Sequence, residues 1–157
     1  MSRSASISYG FGFPIDDVSE KGLIEFIKAH EKTFCQTDDE VEIFEELSTI
    51  TDVSDKEISA KVNALFEDYQ SDLNCNYGYG AAISNIITRE IDINMSYESG
   101  NVGDAPCVML CETMPWIYTE KERSLTGESL TDLLIPYVIE LGLKEDIIGY
   151  YQVEYYG

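Results

Sequence analysis

The chain has 157 residues, with 30 Asp and Glu against 10 Lys and Arg and a formal net charge of -20. That surplus repels phosphate backbones and anionic bilayers, so neither nucleic acid nor a membrane is expected as a direct partner, whereas a basic protein surface is. A hydrophobic fraction of 44% is ordinary for a folded protein, so the charge does not signal disorder, and the length fits one domain over residues 1–157.

Residues 1–13 lack the continuous apolar core and small-residue cleavage site of a secretory signal. No apolar run approaches the ~20 residues of a membrane span. The expectation is a cytoplasmic chain in which Cys35, Cys75, Cys107 and Cys111 are free thiols.

Ser4 to Phe13 alternates with period two: Ala5, Ile7, Tyr9, Phe11 and Phe13 fall on one face, which predicts a strand ended by Pro14. Ser19 to Phe34 reads as a helix with Leu23, Ile24, Phe26, Ile27 and Phe34 inward. Thr37-Asp38-Asp39-Glu40 is a capping box opening a second helix, whose inner stripe is Val41, Phe44 and Leu47. Ser54-Asp55-Lys56-Glu57 is another, opening a helix with Ile58, Val62, Leu65, Phe66 and Tyr69 at helical spacing. Asn74 to Gly80 is turn chemistry. Three strands are then expected, at Ala81–Arg89, Glu90–Glu98 and Pro106–Thr113, the last apolar on both faces and therefore central. A long connection carries the only tryptophan, Trp116. Gly127 to Leu141 reads as a helix that Pro136 should kink or split, with Gly142 as its C-cap. A tyrosine-rich strand, Gly149–Tyr156, closes the chain. The predicted fold class is α+β: an antiparallel sheet of about five strands with about four helices packed on it, in the order β-α-α-α-β-β-β-α-β.

Residues with chemical potential are few. Asp72-x-Asn74-x-Asn76 resembles the start of a calcium loop, but Tyr77 stands where the sharp-turn glycine belongs and Ile83 where the bidentate glutamate belongs. Cys107 and Cys111 share a strand face with Cα atoms about 13 Å apart, too far to chelate one ion. His30 is the only histidine, so any hydrolase triad must use it, yet it stands between Ala29 and Glu31 with no nucleophile motif nearby. Gly10-Phe11-Gly12 and Gly78-Tyr79-Gly80 lack the spacing and the lysine of phosphate loops. No metal, no cofactor and no catalytic residue is expected.

The densest charge lies between Thr37 and Glu57: Asp38, Asp39, Glu40, Glu42, Glu45, Glu46, Asp52, Asp55 and Glu57, opposed by Lys56 alone. Asp38, Glu42 and Glu46 follow i, i+4, i+8, so like charges stack on one helix face and cost a few tenths of a kcal/mol per pair. These nine residues are the expected partner-binding site; a merely solvated helix face is the alternative. A second candidate surface is aromatic: Tyr150, Tyr151, Tyr155 and Tyr156 on the last strand, with Tyr77 and Tyr79 elsewhere.

Met114-Pro115-Trp116, Thr119-Glu120-Lys121-Glu122, Tyr137-Val138-Ile139-Glu140-Leu141-Gly142 and Val153-Glu154-Tyr155-Tyr156-Gly157 resemble segments of small phage and prophage proteins of Gram-positive bacteria. The resemblance covers residues 114–157 and includes no catalytic signature. Some small acidic phage proteins are anti-CRISPR inhibitors that occupy a nuclease's nucleic acid cleft. The resemblance therefore implies a non-enzymatic, host-cytoplasmic binding protein whose partner is a basic nucleic-acid-handling protein such as a CRISPR effector. The alternative is a phage structural or assembly protein that self-associates, as in a homodimer, through the tyrosine-rich strand.

Overall fold

The alternating N-terminal segment does form a strand, and it becomes the spine of the sheet. In a computed structural model, which describes residues 5–50, 56–74, 76–100, 105–112 and 118–156, β1 (Ala5–Pro14) pairs with β3 (Cys107–Cys111) on one side and β4 (Gly149–Tyr156) on the other. β2 (Met95–Glu98) adds to β3, giving the order β2-β3-β1-β4 with every pair antiparallel. β3 is an inner strand, as its two apolar faces require. The fold is α+β, but the described residues form four strands and seven helices rather than about five and four.

The register separates two sheet faces. Phe13 lies opposite Val108, and Val108 opposite Tyr97, on the face the helices cover. Phe13, Val108, Tyr97 and Met95 are buried in the main core there. The helices cover only part of the β1 stripe: Ile7 and Tyr9, on the same face, are 46% and 50% exposed. The other face holds a small cluster of Cys107, Met109 and Val153. Position 12, on that face by alternation, is glycine because a Cβ there would stand 2.0 Å from the Val108 carbonyl oxygen and 2.6 Å from the Met109 Cα.

The first expected helix is divided. α1 (Glu20–Ala29) is capped by Ser19, whose Oγ accepts the Gly22 amide at 3.0 Å; the backbone turns at His30 and resumes as α2 (Glu31–Phe34). α3 (Asp38–Ser48) opens on the expected capping box with both arms made. α4 (Lys56–Phe66) follows; the second capping box rests on Ser54 and Asp55, which lie outside the described residues.

The largest correction is α5 (Tyr79–Ile91), which replaces the strand expected at Ala81–Arg89. Every residue from Gly80 to Ile87 is buried. The run nevertheless carries a helical period: Ser84, Asn85, Thr88 and Arg89 recur at helical spacing on one face and Ile83, Ile86 and Ile87 on the other, and the isoleucines favour a strand only while that spacing is left uncounted. Asp92, at φ 56 in the left-handed region, ends the helix. The expected strand Glu90–Glu98 is consequently real only over Met95–Glu98.

α6 (Glu120–Arg123) and α7 (Gly127–Glu140) precede a 3-10 turn (Glu145–Ile147) that leads into β4. α7 is not split at Pro136: the proline is on the exposed side, where water can serve the carbonyl it leaves unbonded. Gly142 does end the helix. At φ 78 it lets Leu143 N–H reach Val138 O and Gly142 N–H reach Ile139 O, both at 3.0 Å, a Schellman closure.

Candidate functional site: the acidic face of α3 and its groove

The capping box sets the rotation of α3. With Thr37 as cap, Glu40 and Leu47 turn inward, Ile43 and Phe44 are half-buried, and Val41, expected inside, is 40% exposed. Asp38, Asp39, Glu42, Glu45 and Glu46 all point to solvent. Among the described residues none of these five has a Lys, Arg or His nitrogen within 4.0 Å; the ion pairs present lie elsewhere.

The face borders a groove. A hollow of about 440 Å³ between α3, α4 and the segment after it is lined by Asp39, Glu42, Asp68 and Asp72, with Ile43 and Leu65 as apolar floor. A second hollow of about 490 Å³ is lined by Glu42, Glu45, Glu46 and Ala64, and shares Glu42, Ile43 and Leu65 with the first. The two form one trough with carboxylate walls and an aliphatic floor.

Glu40 is a correction to the expected site. It is 2% exposed and cannot meet a partner. Its Oε1 accepts the backbone amides of Gln36 at 3.1 Å and Thr37 at 3.0 Å; its Oε2 accepts the Tyr69 hydroxyl at 2.5 Å and Arg89 Nη1 at 2.9 Å. Arg89 also donates to the carbonyls of Thr33 and Phe34, both at 3.2 Å, and pairs with Asp72 at 3.0 Å. Asn85 donates to the Tyr69 hydroxyl at 3.0 Å and accepts the Asp72 amide at 2.9 Å. Burial, and then the hydrogen bond to the Glu40 carboxylate, push the Tyr69 phenol well above its ordinary value. The guanidinium in the groove is thus already engaged and leaves the trough acidic.

Of the nine expected site residues, five share the α3 face. Glu40 lies beneath it, Glu57 is exposed on the first turn of α4, and Asp52 and Asp55 lie outside the described residues. Asp68, Asp72, Leu65 and Arg89 complete the groove without having been singled out for it. In the sequence Asp72 resembles the start of a calcium loop and Arg89 the end of a strand, so no periodic pattern ties them to α3.

The remaining candidates find structural roles. Asn74 Nδ2 donates to the Ser96 hydroxyl and the Tyr97 carbonyl, and Asn76 Nδ2 to the same carbonyl, so the calcium-like segment fastens onto β2. Among the described residues no group of three His, Cys, Asp or Glu is placed to hold a metal ion. The Cys111 thiol is pushed up to about 12, first by burial and then by the Glu98 carboxylate, and burial also raises Cys35, with Glu31, Glu40 and Glu45 adding to it. Neither is a ready nucleophile. His30, which the sequence places beside no nucleophile motif, has both ring nitrogens against carboxylates: Nδ1 at 2.7 Å from Glu90 and Nε2 at 2.6 Å from Glu140. Of the tyrosines, Tyr150 is 71% and Tyr77 54% exposed, Tyr79 and Tyr151 are partly buried, and the side chains of Tyr155 and Tyr156, like Trp116, lie outside the described residues.

No family model, no curated protein and no solved structure matches this chain. Among the described residues no helix is long and apolar enough to cross a membrane.

Proposed function

We propose that this protein is a non-enzymatic binding protein that docks the α3 face and its groove onto a basic surface of a host nucleic-acid-handling protein, and so acts as an anti-defence inhibitor of the anti-CRISPR kind, encoded by a phage and working in the host cytoplasm. The observation that carries the docking is the set of five exposed carboxylates with no cation beside them among the described residues, four of which, Asp39, Glu42, Glu45 and Glu46, line a trough with an aliphatic floor. Like charges at helical spacing disfavour their own helix, and a lysine- or arginine-lined partner relieves that cost. Carboxylates ranged along a helix also present a row of negative charge, as a phosphate backbone does, to a channel built for nucleic acid. The choice of a CRISPR effector as partner rests on the resemblance of residues 114–157 to phage proteins.

The test is competition. RNA-guided nucleases of Gram-positive bacteria are titrated with the protein while their DNA binding is followed at two salt concentrations. The reading expects displacement of DNA that weakens steeply with salt. The triple reversal Glu42→Lys, Glu45→Lys, Glu46→Lys is expected to abolish it while the fold persists. An undiminished effect in that variant refutes the placement of the interface.

A second reading, self-association in a phage assembly, is favoured by the position of β4. It is an edge strand. Glu112 N–H bonds Tyr9 O, so odd-numbered residues of β1 serve β3 and even-numbered ones serve β4. Tyr151 and Val153 therefore turn their backbone groups to β1, and Tyr150 and Gln152 turn theirs outward, the arrangement that strand addition uses. Sedimentation across concentration separates the readings. A homodimer through β4 strengthens with salt, because salt screens the repulsion of two chains of charge -20, whereas docking on a basic partner weakens.

A further inference from the structure

We propose that His30 is a proton-operated latch, which in its doubly protonated form fastens the corner between α1 and α2 and the last turn of α7 to the end of α5. The inference does not depend on the function proposed above. Its basis is geometric. The imidazole lies between Glu90 at the end of α5 and Glu140 at the end of α7, with 2.7 Å and 2.6 Å contacts to opposite ring nitrogens. A carboxylate only accepts, so both nitrogens must donate, and only imidazolium has two N–H groups. In neutral imidazole one nitrogen would turn a lone pair toward a carboxylate oxygen at that distance.

The surroundings hold the arrangement in place. The His30 side chain is 13% exposed, with the Phe26 ring 4.7 Å away. Glu90 is held from two further sides, by Thr33 Oγ1 at 2.6 Å and the Tyr137 hydroxyl at 2.8 Å. The titratable groups facing the ring are thus Glu90 from α5 and Glu140 and Tyr137 from α7, and among the described residues no lysine or arginine pairs with either glutamate. Burial alone would lower the proton affinity of His30; hydrogen bonds to Glu90 and Glu140, and their charges, outweigh it and raise it. A raised folded-state value means that the latch stabilises fully below about 6.5, the ordinary histidine value, and is lost as pH rises through the folded-state value. Thr33 donates its hydroxyl to Glu90 and its carbonyl accepts Arg89, so the latch sits at the corner from which α3 departs.

Because the chain has one histidine, its ring signals in a nuclear magnetic resonance titration need no assignment. The expected result is a midpoint above about 6.5, with both ring nitrogens protonated below it. Amide exchange of Leu134, Val138 and Leu141, corrected for the intrinsic pH dependence, is expected to rise at least several-fold above the midpoint. Glu140→Gln should lower the midpoint by ~1 pH unit, the scale on which a neighbouring carboxylate acts. Glu90→Gln should do the same, and if that variant fails to fold, because Glu90 also holds Thr33 and Tyr137, Glu140→Gln carries the test alone. His30→Gln should remove the pH dependence of α7 exchange. A midpoint at or below the ordinary value, a midpoint that Glu140→Gln leaves unmoved, or α7 protection that ignores pH overturns the latch.

Discussion

Replacing Glu40 separates the carboxylate that builds the fold from those that face a partner. Glu40→Ala removes the acceptor for Arg89, for the Tyr69 hydroxyl and for two backbone amides at once. Removing one member of a buried ion pair costs about 3–5 kcal/mol, because the other charge stays behind uncompensated. Arg89 retains Asp72 and two carbonyls and its side chain is 20% exposed, which places the cost near the lower bound, about 3 kcal/mol. Against a typical total stability of about 5–15 kcal/mol that is a large fraction. With a urea slope of about 2 kcal/mol/M, the unfolding midpoint should fall by roughly 1.5 M. The assay is equilibrium urea unfolding followed by circular dichroism. The control on the same helix is Glu42→Gln, where relief of like-charge pairs predicts a change within about 0.5 kcal/mol of zero. A double-mutant cycle with Arg89→Ala should return a coupling above about 1 kcal/mol, since the two side chains are in direct contact. If Glu40→Ala unfolds within about 0.5 kcal/mol of the parent, Glu40 is not the buried anchor described, and its removal from the binding surface fails with it.

Two further outcomes are expected. With its thiol pushed up to about 12, Cys111 holds about one thiolate in ten thousand at pH 8, against roughly a quarter for an ordinary thiol, and since a more basic thiolate is also the stronger nucleophile, peptide-resolved labelling should find it slower than a model thiol by on the order of a hundredfold. Gly12→Ala would place a methyl 2.0 Å from the Val108 carbonyl, with backbone rather than a flexible side chain in the way, and should cost at least about 1–3 kcal/mol in a thermal or urea melt; an unchanged melt would show that β1 and β3 do not approach as described.

What was legible in the sequence was what local rules determine. The capping box at Thr37, the alternation of β1, the inner position of β3 and the glycine end of α7 all depend on residues close together in the chain, and all are present. Where tertiary contact decides, the sequence was silent or misleading. Val41 and Glu40 exchange their expected places because Glu40 finds Arg89, 49 residues away, and a paired carboxylate can be buried where an unpaired one cannot. Ile7 and Tyr9 carry the same alternation as Phe13 but lie beyond the helices, and no pattern within β1 marks where that cover ends. His30 looked inert because its partners lie 60 and 110 residues away.

The misreading of α5 explains most of these gaps. With Arg89 ending one expected strand and Glu90 opening the next, the two residues belong to different elements, and neither placement suggests a task for both. On a helix, successive side chains diverge by about 100°, so neighbouring residues at an exposed end can each reach a different element. Arg89 reaches Glu40 and holds the start of α3; Glu90 reaches His30 and Tyr137 and holds α7. One helical turn therefore anchors both the acidic face and the histidine latch. A change at Arg89 should disturb α3 first, and a change at Glu90 should disturb α7 first, although the residues are adjacent. Amide exchange resolved by helix distinguishes the two: equal loosening of α3 and α7 in both variants would mean that the end of α5 acts as a single plug, and the division of labour between Arg89 and Glu90 would fall.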